Sequence, residues 1–101
     1  MYVSLEKLIK DSYEDAVEFE RSGGKLNTSF YGITEQCLSE IKDAKDAYNE
    51  EDFLTAIDKL CDAVSCVFVA LYPLCEKTNV SPLNSLLMNI DKHKTQLLKI
   101  K

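Results

Sequence analysis

The sequence predicts an all-α domain: four helices in an antiparallel, bundle-like arrangement, completed by a second copy of the chain. Three observations predict it. Gly (three) and Pro (two) are scarce among the 101 residues, and long runs without breakers favour helices. Apolar residues recur at helical spacing. Start and stop signals divide the chain into four segments.

The first helix is predicted from about Val3 to Arg21, with Leu5, Leu8, Ile9, Tyr13, Ala16, Val17 and Phe19 turned inward. Ser22, Gly23 and Gly24 stop it, because glycine supplies the left-handed conformation at a helix end. A connection from Lys25 to Gly32 follows, with Leu26, Phe30 and Tyr31 as anchors. Two roles fit these aromatics: covers for the end of the core, or a platform over a ligand pocket.

The second helix starts at Ser29 or Thr34 and ends near Asn49, burying Ile33, Cys37, Leu38, Ile41, Ala44 and Tyr48. An acidic turn, Asn49 to Asp52, leads to the third helix. Its charge suits the positive end of that helix.

Residues 52–77 organise the chain. Phe53, Ile57, Leu60, Val64, Val67, Leu71 and Leu74 alternate steps of four and three, and Leu54, Cys61, Phe68 and Cys75 lie beside them. This face is wider than the stripe of about 100° that a surface helix buries. The third helix is therefore expected in the middle of the domain, and a symmetric dimer is expected to finish its burial. Pro73 is expected to kink or end it. Ser81-Pro82 then starts a fourth helix with Leu83, Leu86, Leu87, Ile90 and Leu97, and a basic tail of Lys92, His93, Lys94, Lys99 and Lys101.

A net charge of −5 argues against a protein that tracks a nucleic-acid backbone. The N-terminal ten residues lack the continuous apolar core of a signal peptide, and no apolar run approaches a membrane span. The four cysteines and single histidine form no zinc-ligand spacing. Reduced thiols in a cytoplasmic protein are expected.

Two acid pairs stand out: Glu40 with Asp43, and Asp58 with Asp62. Each pair shares a helix face. Packed antiparallel across the acidic turn, the second and third helices would bring all four together. Such a cluster suits Mg²⁺, which prefers oxygen ligands and holds substrate phosphates. Acids at these spacings are also ordinary on solvated helix faces.

In order along the chain, Ala16-Val17-Glu18-Phe19 precedes the glycine loop. Leu38-Ser39-Glu40-Ile41-Lys42-Asp43 is followed by Ala47. Asp58-Lys59-Leu60-Cys61-Asp62 leads into an apolar run. This series resembles the MazG-like, all-α nucleotide pyrophosphohydrolases, especially the short forms common in phages. The resemblance spans most of residues 1–101 as a single domain. It implies Mg²⁺-dependent hydrolysis of a nucleoside triphosphate to monophosphate and pyrophosphate. Glu40, Asp43, Asp58 and Asp62 would be metal ligands, Lys92 and Lys94 phosphate contacts, and Phe30 or Tyr31 a stacking surface for the base. Ser39 and Lys59 stand where the family carries glutamates, and Asp43 is shorter than the glutamate it replaces. These departures support a second expectation: a non-catalytic MazG-like module that binds a protein partner or a nucleotide.

Overall fold

A computed structural model describes residues 3–100. They form four helices: α1 (Leu5–Arg21), α2 (Phe30–Asn49), α3 (Phe53–Thr78) and α4 (Pro82–Ile100). Among the described residues there is no strand, and no helix is long and apolar enough to cross a membrane. Lys101, the end of the expected basic tail, lies outside the described residues.

Each helix begins where a side chain satisfies a free backbone N–H. Ser4 accepts from the Lys7 amide at 3.2 Å, and Ser29 from Gly32 at 3.1 Å. Asp52 accepts from Thr55 at 3.2 Å, and Ser81 from Asn84 at 3.3 Å. Of the two candidate starts for α2, Ser29 therefore serves. Thr34 lies inside the helix and donates its hydroxyl to the Phe30 carbonyl at 2.8 Å. Gly23, at φ +96°, turns the chain out of α1. The Glu20 carboxylate then holds the following loop, accepting from the Thr28 amide at 3.1 Å and the Thr28 hydroxyl at 2.8 Å. Pro73 lies within α3, which continues to Thr78. Asn79, left-handed at φ 57°, ends that helix.

The α2–α3 register is antiparallel. The Cys37 thiol donates to the Ala63 carbonyl at 3.6 Å, Lys59 pairs with Glu40 and Asp43, and Tyr48 lies against Phe53 with ring centroids 5.8 Å apart. The helix α1 covers the later half of α3, where Tyr13 stacks on Tyr72 at 5.0 Å. Ile33, Cys66 and Val69 form the core, packed by Tyr13, Ala16, Leu26, Cys37 and Ala70.

The structure corrects the expected inward face of α3. Ala56, Ala63, Cys66 and Val69 are its buried residues. Phe53, Ile57, Leu60, Val64, Val67 and Leu74 are exposed, as are Leu54 and Cys61. The reason is steric. Small residues on α3 meet Ala44 and Ala47, the small buried residues of α2, and interiors reward close packing as much as hydropathy. The larger stripe would hold the helices apart. Leu8, Phe19, Leu38 and Tyr48 are likewise exposed. No residue of α4 is buried. The bundle expected from sequence is thus a packed body of α1 to α3 with α4 attached beside it.

Candidate functional site

The acidic cluster lies across α2 and α3 near the turn that joins them. Its register follows from the hairpin, which sets the third and fourth turns of α2 opposite the second and third turns of α3. Glu40 and Asp43 project from α2; Asp58, Lys59 and Asp62 from α3.

At its centre is a side chain that sequence reasoning did not place there. The Lys59 Nζ lies 3.6 Å from Glu40 Oε2 and 3.8 Å from Asp43 Oδ2. Glu40 is the least exposed member, with 13% of its side chain accessible. Its Oε1 accepts from the Gln36 amide nitrogen at 2.8 Å. Its Oε2 is buried without a hydrogen bond, since Lys59 stands just beyond hydrogen-bonding distance.

The electrostatics follow from this crowding. Glu40, and after it Asp43, raise the Lys59 ammonium above its usual proton affinity, against the opposing effect of partial burial. Desolvation raises the Asp62 carboxyl above 3.8; Asp58 and Glu40 push it further up, and Lys59 opposes them. Carboxylates outnumber ammonium groups here, and the lysine relieves only part of their repulsion.

The sign of the resulting pH dependence is fixed. A carboxyl whose proton affinity is raised by folding contributes stability below its unfolded pKa, lost as pH rises through the folded value. Asp62→Asn removes that loss. The variant is expected to unfold at a higher temperature than wild type near neutral pH, with the difference vanishing in acid. The gain should be on the order of 0.5 kcal/mol, because screening weakens repulsion at an exposed position. Thermal unfolding followed by circular dichroism from acid to neutral pH measures it. A lower midpoint for Asp62→Asn at neutral pH would show that the carboxylate is held by a favourable partner instead.

The other predicted site residues lie elsewhere. Phe30 and Tyr31 form an edge-to-face pair at 5.8 Å at the start of α2, about 15 Å along the axis from Glu40 at 1.5 Å per residue. Both are exposed. Phe30 helps line a shallow cavity with Val69, Pro73 and Lys77, apart from the acids. Lys92 and Lys94 are exposed on α4. Among the described residues, neither forms an ion pair.

The fit to Mg²⁺ can be judged from the donors. Among the described residues, no group of three or more His, Cys, Asp or Glu side chains is arranged to hold a metal ion. With the Lys59 ammonium between the two helices, the carboxylates as placed do not fit the cation. The cysteines supply no alternative centre. Burial, with Cys37 and the nearby acids behind it, raises Cys66 toward the inert thiol. Comparison of the chain with protein-family models, with curated proteins and with solved structures returns no match.

Proposed function

We propose that this chain is a MazG-like helical binding module that does not hydrolyse nucleotides and acts through association with a protein. One observation carries the reading: the Lys59 ammonium, between Glu40 and Asp43, fills the role that a bound cation would play. A covalently attached cation cannot be released, and it lacks the Lewis acidity by which a metal activates a bound water. The open apolar stripe of α3 is the surface through which the module associates, and a homodimer is the simplest assembly.

A second reading keeps the hydrolase: Mg²⁺-dependent conversion of a nucleoside triphosphate to its monophosphate and pyrophosphate, with Glu40, Asp43, Asp58 and Asp62 as ligands. The observation in its favour is the Glu40 Oε2, buried without a hydrogen bond although Lys59 pairs with it at 3.6 Å. This reading requires Lys59 to leave the cluster.

Two measurements separate them. The first is pyrophosphate release from a panel of ribo- and deoxyribonucleoside triphosphates with Mg²⁺ or Mn²⁺. The second is the unfolding midpoint of wild type and Lys59→Glu, with Mg²⁺ and with a chelator. The binding-module reading expects no release and no response of wild type to Mg²⁺. It expects Lys59→Glu to be destabilised in chelator and rescued by Mg²⁺, since removing the ammonium leaves only carboxylates. At a Mg²⁺ concentration 100-fold above its Kd, the rescue is about 2.7 kcal/mol. Metal-dependent release by wild type, lost in Asp62→Asn, would establish the hydrolase instead.

A further inference from the structure

We infer that the groove between the later half of α2 and the start of α3 is a binding site for an aliphatic carboxylate, a straight-chain monoanion whose tail lies in the groove and whose head meets Lys45. The inference goes beyond association with a protein and is independent of the acidic cluster.

The residues account for the hollow. Ile41, Ala44, Lys45, Tyr48 and Asn49 follow at steps of three, one, three and one, the spacing of one helix face. Ala56 and Leu60, four apart, border it from α3. Ala44 and Ala56 are 5% and 8% exposed and form the floor. Their small side chains let the helix backbones approach and leave the space above them unfilled, because the larger Ile41, Tyr48 and Leu60 stand at its edges. The result is a cavity of about 410 Å³, within the range of about 300–1,000 Å³ typical of small-molecule sites. Phe53 lies against Tyr48 with ring centroids 5.8 Å apart, which steadies one wall. From Ile41 to Asn49 the groove runs about 12 Å at 1.5 Å per residue, room for an extended alkyl chain.

Charge selects the head group. Lys45 is the one charged residue of the lining. Among the described residues it forms no ion pair. Its neighbours three and four positions away are Ile41, Lys42, Tyr48 and Asn49, so no acid shares its stretch of helix face. Glu40 and Asp43 fall about 140° or more around α2 from it, at 3.6 residues per turn. Asp46 is engaged by Lys42 at 3.3 Å. In a chain of net charge −5, an ammonium without a carboxylate partner at the mouth of an apolar groove is the complement of an amphipathic anion. The alkyl stem of Lys45 adds to the wall while its head stays in water. Tyr48 and Asn49 line the same end and add O–H and N–H donors. A single cation matches a single carboxylate. A polyphosphate would bring several uncompensated charges to an acidic surface.

Isothermal titration of the whole chain with butanoate, hexanoate, octanoate and decanoate, and with octanol, tests the site. One saturable site per chain is expected, with affinity rising up to about fourfold for each added methylene. Lys45→Gln is expected to weaken octanoate about fivefold at low salt, and less at high salt. It should leave octanol unchanged, and Lys45→Arg should retain octanoate. Leu60→Gln, which makes one wall polar, is expected to weaken both ligands. Lys45 and Leu60 are exposed, so both variants should keep the helicity of wild type by circular dichroism. Octanoate binding unaltered by Lys45→Gln, or affinity independent of chain length, would overturn the inference. So would uptake of several molecules per chain without saturation, which would show the alkyl chains coating the open stripe of α3 instead. No arm of the experiment requires Mg²⁺ or nucleotide, so this inference and the reading of the acidic cluster fail separately.

Discussion

Ile33→Ala is expected to destabilise the fold by about 2–5 kcal/mol, the range for removing most of a buried isoleucine and leaving a cavity. Ile33 is 1% exposed and packs with Cys66 and Val69, surrounded by Tyr13, Ala16 and Leu26. Residues from α1, α2, α3 and the first loop therefore meet on one side chain. Little can collapse into the space it leaves, because its smaller neighbours are fixed on helix backbones. For a domain whose total stability is about 5–15 kcal/mol, the loss is a large fraction of the whole. Urea denaturation measures it, with Leu38→Ala as the control on the same helix. Leu38 is 67% exposed, and its truncation should change stability by less than about 0.5 kcal/mol. Equal losses at the two positions would mean that the core has been assigned to the wrong face of α2.

Ala63→Leu should be damaging for the opposite reason. Ala63 is 5% exposed, and its carbonyl accepts the Cys37 thiol at 3.6 Å. The α2 helix passes too close for a larger side chain, and overpacking costs about 1–3 kcal/mol. The substitution also forces apart the helices that carry Glu40, Asp43 and Lys59. Loss of stability should therefore be accompanied by a weaker effect of Asp62→Asn, since a looser cluster repels less. Thermal unfolding of the single and double variants reads both effects. An Ala63→Leu protein as stable as wild type would show that this face has room, and that the small residues are not what sets the helix spacing.

The contrast between positions 63 and 64 marks the limit of what the sequence disclosed. Helix starts were legible at Ser29 and Ser81, because each cap is local and accepts from an amide three residues away; Ser4 and Asp52 cap in the same way at starts that periodicity and charge marked only approximately. The seam from Phe53 to Leu74 was also legible as a face. Which element covers it was not. Periodicity identifies residues that share a side and carries no information about the neighbour on that side. Ala56, Ala63, Cys66 and Ala70 give a weak hydropathy signal, yet their small size brings α2 close. Within the cluster, the spacing of Glu40 with Asp43 and of Asp58 with Asp62 was readable. The position of Lys59 depends on the register between two helices, and nothing in its local sequence specifies that. Phe30, Tyr31, Lys92 and Lys94 were chosen by residue type, and the fold distributes them over separate surfaces.

The absence of any buried side chain in α4 divides the chain into two levels of cohesion. A helix resists local opening in proportion to the apolar contacts it must break. In a single chain α4 breaks almost none, so its amides should exchange with solvent through fraying of that helix alone. Amides around Ile33 and Cys66 become accessible only when the three-helix body opens as a unit. The folding unit thus closes at Asn79, and the last helix is held to the chain mainly by its covalent connection. Under the proposed self-association, protection of α4 against exchange is expected to rise with protein concentration.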